Sequence, residues 1–366
     1  MTLIIDHLDE VCQFLKKEMK PFNVVVMPDF FLDRLVTLNQ DLNTFSKQLR
    51  TITKNKGGSI DGIAQTELRG GNAVNTASAL ASLDVKVFPI VCTSKFGLQI
   101  LKFQLRSHSI DFSHVKIFSK PSITTALELE TKEGKANIML RNVGSLADFG
   151  PHYLNKDDME TIENADYICV FNWAGTKNFG TELAETVFQI TKTQGKGKTY
   201  YDTADPLPNK KKIPTLVKNV LKNKRLDILS VNENEAIQYA KQLNNEESKP
   251  KNNLPLEKQA REAAKTLAKH LYARIDLHTT SFSATYAGKK ETISPAFKVP
   301  ALRATGAGDA WNAGNILGDA HRLSDSCRLT LANATAAYYI ADPCGKHPTR
   351  KQLLEFCEKM KRKTKH

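Results

Sequence analysis

The sequence predicts an α/β fold with a mainly parallel central sheet and a small accessory β-sheet. Apolar runs of strand length alternate with helix-period segments almost from end to end of the 366 residues. Several of these runs are near-continuously apolar, as strands covered on both faces must be. One stretch, residues 124–142, replaces the expected crossover helix with alternating polar and apolar positions. A chain of this length suits one large domain or two smaller ones and can bury a sizeable core.

A helix is expected within residues 1–22, before a first strand at 24–27. Residues 32–38 and 62–68 are candidate strands of the accessory sheet. The small-residue segment 72–83 reads as a helix, followed by a strand at 85–91 and a helix at 97–107. Residues 124–130 and 136–142 form a hairpin across Lys132-Glu-Gly-Lys135. Strands at 167–171, 198–202, 228–231 and 275–279 then alternate with helices at 180–193, 214–222, 233–243 and 256–274. Such alternation implies βαβ units and right-handed crossovers. After the last strand the pattern turns all-helical, at 308–321, 324–341 and 349–363. Residues 244–255 are polar and Pro-bounded, the signature of a loop. A small sheet projecting from the C-terminal edge of a parallel sheet makes a natural cover for a ligand crevice.

Composition excludes several classes. The chain carries 52 Lys/Arg and 39 Asp/Glu, a net charge of +13. Residues 206–225 contribute +7 and residues 346–366 contribute +6, leaving the other 325 neutral as a set. A solvated helix face or tail accounts for so local an excess more simply than a nucleic-acid groove with stacking aromatics. No run of eighteen apolar residues occurs, so no membrane-spanning helix is predicted. Asp6, Asp9 and Glu10 near the start do not read as a secretory signal. Six cysteines without a CxxC pair read as reduced, mostly buried thiols of a cytoplasmic protein. Cys344-Gly-Lys-His347 has metal-like spacing but no second half.

The segment richest in chemistry is Arg303-Ala-Thr-Gly-Ala-Gly-Asp309, leading into a helix. Gly306 and Gly308 allow a tight turn and a close backbone approach, while the helix start presents unpaired N–H groups and a positive dipole end. That is an anion hole, with the Asp309 carboxylate beside it suited to take a proton from a hydroxyl. The alternative is a Gly-rich turn whose Asp merely complements the helix dipole. Standard nucleotide motifs are absent: Gly175–Thr181 lacks the P-loop Lys, Gly197-Lys-Thr199 lacks the first Gly, and no GxGxxG exists. A second segment, Arg69-Gly-Gly-Asn-Ala-Val-Asn75, runs a Gly pair into a helix with Asn72 and Asn75 three apart on one face. They offer donors and acceptors to a polyol, or else an ordinary helix start.

These pieces together resemble the ribokinase-like (PfkB) carbohydrate kinase family. Gly70-Gly71…Asn75 matches its early GG…N motif, and Gly306-Ala-Gly-Asp309 matches the end of its late D-T-x-G-A-G-D motif. Asn232-Glu-Asn-Glu235 fits its N-x-x-E motif, and the resemblance covers roughly residues 20–345. It implies a three-layer α/β/α core with a small β-sheet lid. Residues 1–22 would then be an N-terminal helix and 23–345 the kinase domain, with lid segments near 32–68 and 112–142. Residues 346–366 would form a basic helix or tail.

The resemblance further implies a Mg²⁺-dependent transfer of the terminal phosphoryl of ATP to a sugar hydroxyl, and it leaves ADP open as the donor. Asp309 would be the base, with the Ala307 and Gly308 amides stabilising the phosphoryl. Asn232 and Glu235 would order Mg²⁺ and its waters. Asp33, with Asp29 as the other choice, would hold sugar hydroxyls beside Gly71, Asn72 and Asn75. Arg141 would reach the acceptor from the lid, and Asn172 would stand at the active-site edge. Thr279 would lie near the phosphates and Asn333 near the nucleobase. A nucleoside kinase and a catalytically silent ligand-binding relative are the alternatives. The partner is a small-molecule sugar or nucleoside, with no membrane role and no nucleic acid; a homodimer through the lid stays open. One departure stands out. The first Asp of the late motif, which helps bind K⁺ in cation-activated relatives, is Arg303 here, and its Thr is Ala304. A guanidinium there would replace the cation or else swing into solvent.

Overall fold

In the computed structural model, which describes residues 2–105, 109–131, 134–243, 254–303 and 305–364, the apolar runs form one central sheet. β1 (Asn23–Met27) opens it. β2 (Phe31–Asp41) and β3 (Ala64–Gly70) leave for a second sheet, and β4 (Lys86–Pro89) returns beside β1. β5 (Cys92–Thr93) and β6 (Lys116–Ile117) pair alone, while β7 (Ser122–Thr131) and β8 (Gly134–Asn142) complete the small sheet. β9 (Tyr167–Phe171), β10 (Lys198–Asp202), β11 (Ile228–Val231) and β12 (Arg274–His278) resume the central sheet. β13 (Phe282–Ala287) and β14 (Lys290–Pro295) end it. The order is β14-β13-β12-β11-β10-β9-β1-β4, parallel from β12 to β4.

Alternation along each strand divides the core. Val24 and Val26 enter one buried cluster, Val25 and Met27 the other. The first cluster is covered by α1 (Thr2–Lys16), α3 (Asn72–Ser82), α10 (Ala307–Ala320), α11 (Asp325–Ala341) and α12 (Arg350–Thr364). On the opposite face, the cluster takes in α5 (Lys156–Asn164), α6 (Gly180–Thr193), α7 (Ile213–Leu216), α8 (Glu233–Leu243) and α9 (Leu256–His270). This is the three-layer α/β/α arrangement the sequence predicts. α2 (Leu42–Lys54) packs on the small sheet, and α4 (Lys95–Gln104) follows β5.

The small sheet runs β3-β2-β7-β8, joined to β1 and α3 at the C-terminal edge of the parallel strands. Cross-strand register sets two rows on one face: Leu68, Asp33, Thr124 and Arg141, then Thr66, Leu35, Ala126 and Met139. Several expectations need correction. The chain is not all-helical after β12, because β13 and β14 add an antiparallel pair. Their polar alternation hides a sheet edge with one face buried. The segment 214–222 is α7 followed by a π-type turn at Val217–Leu221 rather than one helix. The basic C-terminal segment, by contrast, takes the helical form expected of it. α12 packs on α1, and Arg350 Nε donates to Leu15 O at 2.8 Å. Most of the 244–255 loop and the tip of the hairpin lie outside the described residues. Among those described, no helix is long and apolar enough to cross a membrane.

Candidate active site

Two helix starts meet beneath the small sheet. Gly71 precedes α3 at φ +99°, and a Cβ there would lie 2.8 Å from Asp29 O, so only glycine fits. Gly306 caps α10 at φ +86°, where a Cβ would lie 2.5 Å from the Tyr339 hydroxyl. The first intrahelical bond of α10 runs from Ala310 N to Gly306 O. The amides of Ala307, Gly308 and Asp309 therefore precede the helical ladder and point out of its positive end.

Asp309 bridges the two helices. Its Oδ1 accepts from Asn72 Nδ2 at 2.8 Å and its Oδ2 from Asn75 Nδ2 at 3.0 Å. Burial pushes its pKa up to about 8, with Asp202 and Asp29 adding to the shift and the two Asn bonds opposing it. This is a carboxylate held dry, oriented and easily protonated. Asp33 faces it from the small sheet. Burial lifts the Asp33 pKa to about 6 against a bond from Thr124, and Oδ1 is buried with no partner among the described residues. An orphaned acceptor of this kind awaits a donor, such as a ligand hydroxyl.

Asp33, Gly71, Asn72, Asn75, Gly306 and Asp309 line one cavity of about 1210 Å³. Asp29 does not. It is fully buried, with Oδ2 and Oδ1 accepting from the Asn72 and Ala73 amides at 2.9 Å each. It caps α3 and also accepts from Asn172 Nδ2 at 2.7 Å. Asn172, at φ +50°, spends its Oδ1 on the Gly175 amide. The pair locks the end of β9 to α3, which is a positioning task. Arg141 shares the inner row of the small sheet with Asp33, and its guanidinium lies 4.7 Å from the Phe31 ring centre.

The other side of the α10 start faces β10–β12. Asn232 and Glu235 form a reciprocal capping box on α8: Glu235 N donates to Asn232 Oδ1, and Asn232 N to Glu235 Oε2, both at 3.0 Å. Burial raises the Glu235 pKa, and Asp202, Asp205 and Glu233 raise it further. Among the described residues no three metal-ligating side chains converge to chelate an ion directly. A cation reaching these carboxylates would be held through its own waters. Thr279 Oγ1 donates to Phe282 O and accepts from the Ser281 and Phe282 amides, so it builds the β12–β13 turn. Asn333 is spent as well, accepting from Trp311 Nε1 and donating to Pro295 O.

Sequence reasoning missed three residues here. His278 stands against the anion hole, its Cε1 3.2 Å from where a Gly308 Cβ would be, and it lies over Trp311. Arg69 lines the cavity and donates Nε to Asn75 Oδ1 at 3.3 Å. Tyr339 closes the Gly306 turn, donating to Thr305 O at 3.2 Å. The neighbour of Thr279 at a strand end was the available signal for His278. Arg69 stands directly before the Gly70-Gly71 pair, which was the signal for it, while nothing in local spacing marks Tyr339.

A parallel sheet, a helix start with free amides beside a buried carboxylate, and a small sheet over the cavity are the frame in which the family of this chain is found. The chain belongs to the pfkB family of carbohydrate kinases, whose profile matches residues 37–350. No curated protein sequence matches it. Among solved structures it is similar to the Cryptococcus neoformans ribokinase in complex with ADP, at TM-score 0.69 and 16% identity, covering 92% of this chain and 99% of that one. The Arabidopsis thaliana ribokinase complexed with ribose and ATP matches at TM-score 0.69 and 19% identity, covering 93% and 99%. The Sinorhizobium meliloti adenosine kinase matches at TM-score 0.67 and 15% identity, covering 93% and 99%. At such identities the likeness is one of fold.

Proposed function

We propose that this protein transfers the terminal phosphoryl group of ATP to a hydroxyl of a sugar or sugar-like acceptor. The observation that carries the reading is Asp309, gripped by Asn72 and Asn75 at the start of α10 and facing the unpartnered Asp33 Oδ1. Asp33 accepts from acceptor hydroxyls and orients them. The reacting hydroxyl gives its proton to Asp309 as its oxygen bonds to the terminal phosphorus, and the bond from that phosphorus to the departing ADP breaks. The Ala307 and Gly308 amides meet the equatorial phosphoryl oxygens, where the charge of the transition state spreads. Bound Mg²⁺, held by Asn232 and Glu235 through water, would neutralise phosphate charge. Positioning and electrostatics are most of what this reaction asks of a protein.

One observation favours a nucleoside as acceptor. Leu35, Ala126 and Met139 form an apolar cross-strand row on the cavity face, with Leu68 beside Asp33. A free sugar covers such a strip poorly, whereas a nucleobase lies flat on it while Asp33 takes the ribose. The test is a panel of pentoses, hexoses and nucleosides, each with ATP and with ADP as donor. Turnover with nucleosides alone selects that class, and with free sugars alone the carbohydrate. No turnover with any acceptor would leave a silent ligand-binding protein.

A further inference from the structure

Arg69 sits one residue before the Gly pair, on the last turn of β3 into the cavity floor. Its single hydrogen bond is the long one from Nε to Asn75 Oδ1, and no carboxylate lies within ion-pair distance of it among the described residues. The other Arg of this strand pair, Arg34, is neutralised by Glu67 at 2.7 Å. Arg69 is thus a partly buried cation whose fork of Nη donors is left for something else. The groups around it are Asn75, the Asp309 carboxylate and the Tyr339 ring, whose hydroxyl sits on Gly306 of the anion hole. Burial lowers its pKa to about 10, the sign of a charge that lacks full compensation, yet it remains a guanidinium at any working pH.

A half-buried guanidinium whose nearby carboxylate, Asp309, is itself tied to two Asn side chains has donors to spare for a ligand of opposite charge. An anion carried by the distal end of the acceptor is a poor candidate, because the Asp33 carboxylate lines that part of the cavity. The anion that passes beside Asp309 is the phosphoryl group in transit. We propose that Arg69 is a catalytic residue of the acceptor side, its guanidinium gripping the phosphoryl oxygens as the group leaves the α10 amides and joins the acceptor oxygen. This rests on the kinase reading above. The α10 start and Arg69 then hold the phosphoryl from two directions, and a planar fork suits two of its oxygens at once.

The test compares the wild type, Arg69→Gln and Arg69→Lys by calorimetric titration with ADP and Mg²⁺, with and without aluminium fluoride, which mimics the phosphoryl in transit. The wild type should bind ADP more tightly when fluoride is present. Arg69→Gln should keep its ADP affinity but lose most of that increment, and Arg69→Lys should recover part of it. In turnover, Arg69→Gln should lower kcat roughly 10²–10³-fold with little change in KM for ATP. A full fluoride increment in a folded Arg69→Gln protein overturns the assignment and leaves the kinase reading standing. So does a variant that raises only the KM for the acceptor, since that would give Arg69 an anion of the acceptor itself. A wild type that does not bind ADP removes the kinase reading, and this inference with it. Should Arg69→Gln fail to fold, Arg69→Lys carries the same comparison: an undiminished increment and kcat in the lysine variant, whose ammonium cannot hold two oxygens in a plane, overturn the fork.

Discussion

The two sides of the α10 start are built differently. On the acceptor side, side chains remote in sequence are cross-bonded and still present free valence to the cavity: Asn72 and Asn75 on Asp309, Arg69 on Asn75, Asp33 with one oxygen unclaimed. On the donor side the candidate side chains are consumed locally. Asn232 and Glu235 cap α8, Thr279 makes a turn, and Asn333 ties α11 to β14. One side leaves its polar groups facing the cavity, the other spends them on turns and helix ends. Substitutions should therefore separate: turnover without stability on the acceptor side, stability first on the donor side.

The largest effect belongs to the base. Asp309→Asn keeps one acceptor toward the Asn72–Asn75 pair and suits the first helical turn, so thermal stability should hold. Turnover should fall roughly 10²–10⁴-fold through loss of general base catalysis. Near-wild-type turnover in a folded variant would remove Asp309 from the mechanism and, with it, the contrast between the two sides.

The pH dependence sharpens the same contrast. The unfolded chain loses the Asp309 proton near its ordinary value of 3.8, whereas the folded protein holds it to about 8. Between those values the folded state binds the extra proton. The contribution of this group to stability is therefore full below 3.8 and is lost as pH rises toward 8. Asp309→Asn should flatten that slope in a thermal melt. Because the carboxylate is the active form, kcat/KM should climb with pH through the neutral range. Asn75→Ala removes a bond that favours the charged form and should move the climb to higher pH. An acid limb at the ordinary carboxylate range, unmoved by Asn75→Ala, would mean that the base is elsewhere.

On the donor side, Asn232→Ala removes the N-cap of α8 and should cost about 1 kcal/mol in denaturant unfolding. If stability is unchanged while the KM for ATP rises, Asn232 serves the nucleotide rather than the helix, and the two sides are alike after all.

How much of this was legible depended on whether the signal was local. The parallel strands were legible because burial on both faces leaves continuous apolar runs such as Val24–Met27. Gly306–Asp309 was legible because the turn, helix start and carboxylate are consecutive. Asp29 and Asp33 follow the same strand four residues apart, and the sequence does not say which one turns under α3 and which enters the cavity. β13 and β14 are short and half polar, so only their pairing makes them visible. Arg69 and Tyr339 are 270 residues apart, and only the packing of α10 on both α3 and α11 brings them to one site.

The smallest expected effect concerns Arg303, which lies on neither side but under the loop that carries the anion hole. Its Nη2 donates to Pro343 O at 2.8 Å, and its guanidinium carbon lies 5.7 Å from the Tyr339 ring centre. Gly345 lets it lie flat on the following loop, since a Cβ there would come within 1.9 Å of Nη1. The side chain is therefore docked between the two loops and does not swing into solvent. A monovalent cation placed between such loops would gather carbonyl oxygens; a guanidinium that already bonds one of them supplies the same charge with fixed donors. It would also repel K⁺. Activity should then be nearly equal in K⁺ and in tetramethylammonium at matched ionic strength. Arg303→Asp should lower activity in tetramethylammonium and recover part of it when K⁺ is added. Several-fold activation of the wild type by K⁺ would show that an ion is bound with other ligands and that Arg303 does not stand in for it.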